Sequence, residues 1–255
     1  MALEDYIREK REDKDILLMT HIVLGYPSMK DSLKLIGVMV HAGVDVMELQ
    51  IPFSEPIADG PTILQANQRA LEKGARVQAC MDLAQRAAED FDIPFLIMTY
   101  YNILFAYGIG PFAAAMDRGN LQGAIIADLP PEEGREYLRA MEEHHISPVF
   151  IFSPKTPYSR MQYIASHSRG FVYCAARKGV TGTQTSFSED LEDYLEQCRR
   201  ATSLPLAVGF GVQTRADIQF LKGRAEMAVV GTQTLRVMEE NGIEAVVDFI
   251  RDLRE

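Results

Sequence analysis

The sequence predicts an α/β protein in which eight parallel strands alternate with helices and close into a (β/α)8 TIM barrel, with residues 1–255 forming a single domain. Short apolar runs rich in Val, Ile, Leu and Phe recur along the chain, and amphipathic stretches of helical length separate them. The chain has 255 residues, a length at which one such barrel forms one domain. No low-complexity segment or shift in composition marks a boundary between domains.

Eight apolar runs supply the predicted strands. In chain order they are residues 16–24, 44–51, 93–100, 121–128, 147–153, 170–175, 204–209 and 225–231. The predicted helices are 28–42, 77–90, 131–144, 157–166, 189–201, 214–222 and 243–253, with a further short helix at 233–240. Residues 102–110 and 178–188 are expected to be long loops that could move over a bound ligand.

The composition limits the class of protein. The chain is 47% apolar and 24% charged, which suffices for a substantial core. Its 26 basic and 36 acidic residues give a formal charge of −10, which opposes binding to nucleic acid or to anionic membranes. No apolar run approaches the roughly 20 residues that span a bilayer, and the first residues lack a signal core, so we expect a cytoplasmic protein. Three cysteines without close Cys or His spacing favour reduced thiols over disulfides or a zinc site.

The second predicted strand carries a carboxylate. Side chains alternate across a strand, so Met47, Leu49 and Ile51 form an apolar face that should contact the helices. Glu48 and Gln50 are then expected to point into the upper barrel. A buried acid with a raised pKa suits proton transfer, whereas pairing with a barrel lysine or arginine would make the same residue structural.

A second acid, Asp59, follows in "PFSEPIADGPT" at 52–62. The prolines and the glycine of this stretch exclude regular structure, so it is expected to be a shaped loop above the barrel mouth. There Asp59 could face a ligand beside Glu48. Alternatively, it could cap a helix that begins near Pro61.

Glycines follow the last three predicted strands, where barrels often bind phosphate with backbone amides and a helix N-terminus. Each motif alone is explained by a turn, but three at successive strand ends favour a phosphate site. The residues concerned are Gly179 and Gly182, then Gly209 and Gly211, and finally Gly231 with Thr232.

Five motifs in order resemble those of tryptophan synthase alpha chains. They are "LGYP" (24–27), "ELQIPFSEPIADGPT" (48–62), "ADLPPEE" (127–133), "RKGVTG" (177–182) and "VGFGV" (208–212), and the resemblance covers nearly the whole chain. It implies a carbon–carbon lyase of tryptophan biosynthesis that cleaves indole-3-glycerol phosphate to indole and glyceraldehyde 3-phosphate in retro-aldol fashion. It further implies an enzyme without metal or organic cofactor, which assembles with a beta chain into an alpha2beta2 heterotetramer.

The resemblance also implies residue roles. Glu48 would be the general acid/base that protonates C3 of the indole ring, and Asp59 would accept the indole N–H and stabilise positive charge on the ring. Tyr173 would lie near the acid. The implied substrate-binding residues are His21, Gln50, Tyr100, Thr181, Gly182, Phe210, Gly211, Gly231 and Thr232. Alternatively, the two tyrosines, and Tyr100 above all, could be core residues whose hydroxyl groups bond to nearby atoms.

Several positions depart from the family pattern. Gln50 stands where glycine is usual, His21 where a pocket phenylalanine is usual, and Thr232 where serine is usual; Glu55 and Lys178 replace an aspartate and a serine. We expect Gln50 to narrow the pocket or to bond to Glu48, and glycine at this position to retain or raise activity. His21 could titrate near neutral pH or bond a substrate oxygen, or it could be a satisfied histidine at the barrel mouth.

Three functions follow from these observations. The first is the synthase alpha chain itself. The second, favoured by Gln50 and His21, is a stand-alone indole-glycerol-phosphate lyase or a paralogue that acts on a related phosphate ester. The third is a largely non-catalytic activator of a beta chain, which has no need of Glu48, Asp59 and Tyr173.

Overall fold

The computed structural model describes residues 2–176, 189–209 and 211–254, so Thr181, Gly182, Phe210 and the predicted loop 178–188 lie outside the described residues. The strands are β1 (Leu17–Val23), β2 (Val46–Gln50), β3 (Phe95–Thr99), β4 (Gly123–Ile126), β5 (Ser147–Val149), β6 (Ile151–Phe152), β7 (Val172–Ala175), β8 (Leu206–Gly209) and β9 (Met227–Val230). The helices are α1 (Leu3–Asp13), α2 (Met29–His41), α3 (Pro61–Glu72), α4 (Val77–Asp90), α5 (Tyr101–Tyr107), α6 (Ile109–Arg118), α7 (Arg135–Glu143), α8 (Tyr158–His167), α9 (Glu189–Ala201), α10 (Arg215–Leu221), α11 (Thr232–Asn241) and α12 (Ala245–Arg254).

The strands form one parallel sheet in the order β5-β4-β3-β2-β1-β9-β8-β7-β6. Its two end strands, β5 and β6, are halves of the fifth predicted strand, and they pair with β4 and β7 respectively. The ends of the sheet therefore meet in segment 147–152, which closes the barrel. The predicted (β/α)8 fold is confirmed, and each of the eight predicted strands is present.

The predicted helices are confirmed within a few residues at their ends, but the predicted loop at 102–110 is wrong. It forms α5 and the start of α6. Gly108 has a φ of 91°, a left-handed conformation that lets one residue end α5 and begin α6. Pro111 then occupies the first turn of α6, where its missing N–H is not needed. The Gly and Pro of this segment thus mark a break between two helices.

The core has two layers. One lies between the sheet and the surrounding helices, and the other fills the inside of the barrel. Helix α1, which the sequence analysis did not predict, contributes Leu3 and Ile7 to the inner layer beside Leu17, Met19 and Phe171. Because Leu3 and Ile7 are four residues apart, they share one face of α1. This helix therefore covers the N-terminal end of the barrel, away from the ends of the strands that carry the predicted site.

Asp45, immediately before β2, stabilises the N-terminal end of the barrel through several polar contacts. Its carboxylate is 3% exposed, forms ion pairs with Lys14 and Arg254, and accepts a hydrogen bond from Leu18 N at 2.8 Å. We expect Asp45→Ala to lower the free energy of unfolding in urea by about 2–3 kcal/mol, because it leaves a buried N–H and two cations without their acceptor.

The control for this variant is Glu244→Ala. The Glu244 side chain is 72% exposed and pairs with Lys34 on the surface. Its loss should change the free energy of unfolding by less than about 0.5 kcal/mol. Equal effects of the two substitutions would contradict the role assigned to Asp45.

Candidate active site

A cavity opens at the C-terminal end of the barrel, and most of the predicted site residues that the structure describes line it. Its wall combines polar groups from β1, β2 and β7 with apolar side chains from the other strands. The lining residues are His21, Glu48, Ala58, Asp59, Ile63, Met98, Ile125, Ala127, Ile151, Tyr173, Gly211, Val212, Gln213, Val229, Gly231 and Thr232. Gln50 and Tyr100 do not line it but lie fully buried behind Asp59.

The apolar part of the wall was missed by the sequence analysis. Met98, Ile125, Ile151 and Val229 come from β3, β4, β6 and β9, and each faces the inside of the barrel. Strand alternation could have identified them, since Met98 lies on the same face of β3 as Leu96, another inner-layer residue. Together they offer an apolar surface of the kind that binds an aromatic ring.

Glu48 is 4% exposed and points into the barrel, as the alternation of β2 predicts. Strand pairing sets it beside His21, whose Nδ1 lies 3.3 Å from Glu48 Oε1. Glu48 Oε2 is buried and has no hydrogen-bond partner among the described residues. The described residues include no lysine or arginine paired with this carboxylate. One oxygen of Glu48 therefore lies beside His21, and the other has no partner among the described residues.

His21 is buried between Glu48 and Gln50. Its Nε2 lies 3.0 Å from Gln50 Oε1. Burial alone would lower the pKa of His21, but the charge of Glu48 and its hydrogen bond outweigh burial, and the pKa is raised. Glu48 therefore stabilises the charged form of His21, the residue that the sequence suggested as a titratable group.

Gln50 does not form the expected bond to Glu48. Its side chain instead bridges His21 and Asp59, donating from Nε2 to Asp59 Oδ2 at 2.6 Å. The amide is fully buried and absent from the cavity wall, so it does not narrow the pocket in the way the sequence suggested.

Two hydrogen-bond donors fix the carboxylate of Asp59. Its Oδ2 accepts hydrogen bonds from Gln50 Nε2 and from the Tyr100 hydroxyl, which is 3.0 Å away. Burial raises the pKa of Asp59, although nearby His21 and both hydrogen bonds act in the opposite direction. The alternative role as a helix cap is not found, because the N-cap of α3 is Gly60 and no side chain caps this helix.

Tyr100 and Tyr173 are neutral phenols. The Tyr100 hydroxyl accepts from Ala58 N at 3.1 Å, so its own hydrogen points to Asp59. Burial, reinforced by Asp59, raises the pKa of Tyr100; burial and then the charge of Glu48 raise that of Tyr173. Tyr100 therefore orients Asp59, whereas Tyr173 borders the cavity.

Gly209, at the end of β8, makes room for Tyr173. A Cβ atom on this glycine would lie 2.1 Å from the Tyr173 hydroxyl and 2.6 Å from the ring carbon that bears it. The glycine at this position of the "VGFGV" motif is therefore explained by its close approach to the Tyr173 ring.

We predict that Gly209→Ala displaces Tyr173. The expected result is a loss of about 1–3 kcal/mol in the free energy of unfolding, together with reduced activity, because overpacked cores shift side chains out of place. The control is Gly110→Ala in α6, where an added Cβ meets nothing within 4 Å. That change should leave stability the same or slightly higher. A Gly209→Ala protein as stable and active as the control would contradict the assigned close contact.

The N-terminus of α11 forms part of the cavity rim. The helix begins at Thr232, and Gly231 precedes it as the N-cap. The first amides of a helix lack intrahelical partners and attract anions. Gly211, with a φ of 124°, contributes backbone from the loop after β8. These positions fit the predicted phosphate site as far as the described residues extend.

Three further observations concern the described ranges. They contain no group of three or more His, Cys, Asp or Glu side chains placed to bind a metal ion. None of their helices combines the length and apolar character needed to cross a membrane. Cys80, Cys174 and Cys198 are buried and free.

Comparison with known proteins identifies the family. The family model for the tryptophan synthase alpha chain matches residues 7–252. The chain belongs to the tryptophan synthase alpha chain family. It is 61% identical over 251 residues to the tryptophan synthase alpha chain of Desulforapulum autotrophicum, a match that covers 98% of this chain and 99% of that one.

Solved structures agree with this assignment to the tryptophan synthase alpha chain family. A chain of Mycobacterium tuberculosis tryptophan synthase superposes with a TM-score of 0.93 at 29% identity, covering 100% of this chain and 98% of that one. A chain of the Pyrococcus furiosus tryptophan synthase complex gives a TM-score of 0.86 at 29% identity, with 94% and 98% covered. The resemblance found in the sequence motifs is confirmed.

Proposed function

We propose that this chain acts as a tryptophan synthase alpha chain, a carbon–carbon lyase that cleaves indole-3-glycerol phosphate to indole and glyceraldehyde 3-phosphate. The observation that supports it most strongly is the placement of two acids in one apolar cavity. Glu48 presents an unpartnered oxygen, and Asp59 is fixed by two donors. The rim beside them is the N-terminus of a helix, suited to a phosphate.

The lining residues suggest one orientation of the substrate, which is part of this proposal. The indole ring lies on the apolar surface of Met98, Ile125, Ile151 and Val229, with its N–H directed to Asp59. The phosphate lies at the rim, where the amides after Gly231 and the Thr232 hydroxyl can donate to it. The glycerol carbons then span the distance between ring and phosphate, near Glu48.

The reaction needs a proton to enter at C3 and another to leave the side chain. Glu48 gives a proton to C3, and the positive charge that forms on the ring is stabilised by the carboxylate of Asp59. Glu48, now a carboxylate, accepts the proton of the hydroxyl on C1′. The C3–C1′ bond breaks, its electron pair returns to the ring, and indole and an aldehyde leave with no net change in protons.

The partner we propose is a tryptophan synthase beta chain, in an alpha2beta2 assembly in the cytoplasm. Ile57 is 73% exposed in the loop after β2, and Phe105 is 68% exposed on α5 after β3. Both follow strand ends on the side of the barrel that carries the cavity. An apolar surface beside the cavity suits a partner that receives the indole.

The proposal is tested by giving the purified chain indole-3-glycerol phosphate with and without its cognate beta chain. We expect indole release by the chain alone and faster release with the partner. Failure to release indole under either condition would reject the lyase assignment. A high rate that the beta chain leaves unchanged would instead support a stand-alone lyase.

A further inference from the structure

Close polar contacts connect the two acids of the site through the side chains between them, in the order Glu48, His21, Gln50, Asp59. Two of the contacts are hydrogen bonds, and the contact between Glu48 and His21 is an ion-pair distance of 3.3 Å. We propose that His21 and Gln50 are positioning residues that join Glu48 and Asp59 into one unit, in which His21 and Glu48 hold a proton in common. This inference rests on the proposed function. It assigns a task to two of the residues that the sequence analysis marked as unusual.

The orientation of the Gln50 amide is fixed from the Asp59 side. The Tyr100 hydroxyl accepts from Ala58 N, so it must donate its hydrogen to Asp59 Oδ2. The same oxygen lies 2.6 Å from the Gln50 amide, and a carboxylate oxygen bonded in this way requires a donor. The NH2 group of Gln50 therefore faces Asp59, and its carbonyl oxygen faces His21.

The Gln50 carbonyl in turn fixes the hydrogens of His21. A carbonyl oxygen can only accept, so His21 Nε2 must carry a hydrogen and donate it across 3.0 Å. In a neutral ring Nδ1 is then an acceptor, and it faces the carboxyl oxygen of Glu48 at 3.3 Å. Two acceptors do not bond to each other. A proton between them, either on Nδ1 or on Glu48, removes the repulsion of two acceptors that face each other at this distance.

The surroundings of His21 favour retention of this proton. The titratable groups that face it among the described residues are Glu48 from β2, Asp59 from the following loop and Tyr173 from β7. The strand on its other side, β9, contributes Val229, and Gly231 follows it; neither titrates. The raised pKa of His21 agrees with this arrangement of acids around it.

The Glu48–His21 pair should determine how the activity depends on pH. The acid step needs a proton on the Glu48–His21 pair, so the rate falls as the pH rises past the point where the pair loses it. A substitution that removes the acceptor of the His21 Nε2 hydrogen stabilises the charged ring less, and one that removes His21 leaves the proton to Glu48 alone. The descending limb of the pH profile should then move to lower pH. This reverses the expectation from the sequence that glycine at position 50 would retain or raise activity.

Kinetics on the full chain with its beta chain present provide the first test. Gln50→Met keeps the volume and removes both hydrogen bonds, and we expect about a tenfold loss in kcat, little change in KM, and a descending limb moved by about 0.5–1 pH unit. His21→Phe should move the limb in the same direction. The double variant His21→Phe/Gln50→Gly should lose less than the product of the losses in the single variants His21→Phe and Gln50→Gly, because it leaves neither buried polar partner alone.

The matched control is Thr20→Val. Thr20 is buried on β1 beside His21, and its hydroxyl has no hydrogen-bond partner among the described residues. Valine has nearly the same shape, so the pH profile should not move. If Gln50→Met lowers stability but leaves the descending limb where the control has it, Gln50 is merely structural and the inference is overturned.

Nitrogen NMR of His21 tests the inference without any turnover. In the native chain Nε2 should keep its hydrogen throughout the titration, and the pKa should lie above the ordinary value for histidine, about 6.5. Glu48→Gln should lower that pKa, and Gln50→Met should abolish the preference for the Nε2–H tautomer. Native His21 with Nδ1–H as its neutral form would overturn the inference even if indole release is observed. The predicted NMR behaviour together with an inactive native enzyme would reject the lyase assignment but retain the proton pair.

Discussion

Glu48→Gln is expected to lower kcat for indole release by about 10³-fold, because the amide keeps the shape of the side chain but can neither give a proton to C3 nor take one from the hydroxyl. Glutamine can still occupy the site beside His21, so substrate affinity should change little. The measurement is steady-state release of indole by the chain alone and with its beta chain, together with the free energy of unfolding of the variant.

The matched control for this substitution is Glu55→Gln, in the exposed loop that follows β2. Measured on the chain alone, it should leave kcat within about twofold, as expected for a surface acid with no part in the chemistry. If Glu48→Gln retains more than about a tenth of the native rate, another group transfers the proton and the assignment of Glu48 is wrong.

Asp59→Asn should lower kcat by about 10²-fold, for a different reason. The carbonyl oxygen of asparagine can accept from both Gln50 and Tyr100, as Oδ2 of the native residue does. The geometry is therefore retained while the negative charge is lost, and the cation that forms on the ring loses its stabilisation. The loss should fall on kcat, with a smaller change in KM.

A comparison with Tyr100→Phe separates charge from position. This variant keeps the carboxylate but removes one of its two donors, and buried hydrogen bonds of this kind contribute about 1 kcal/mol. We expect about a five- to tenfold loss, well below that of Asp59→Asn. An equal loss in both would mean that Asp59 acts mainly through its position.

Much of the fold follows from the sequence because the period of apolar residues is a local property. The strand alternation of β2 placed Glu48 inside the barrel, and the structure confirms it. The segment after β3 was misjudged because Gly108 and Pro111 are typical of loops as well as of a tight break between two helices. Helix α1 was missed because its burial depends on the open end of a barrel made by residues far along the chain.

The site was predicted less completely than the fold. The two acids could be identified because each one stands out within its own segment, Glu48 in an apolar strand and Asp59 in a proline-rich loop. The links between them were not predictable, because the bond from Gln50 to Asp59 depends on how a loop folds back over β2. The apolar wall was missed for a similar reason, as Met98, Ile125 and Val229 come together only when the barrel closes.

The hydrogen bond between His21 and Gln50 should also affect how these two positions vary among homologous proteins. The two residues lie on neighbouring strands and are buried, so a mutation at either one alone leaves a buried polar group without its hydrogen-bond partner. Homologues should therefore inherit the two residues together or lack both, and a designer who transplants this site should move them as one unit.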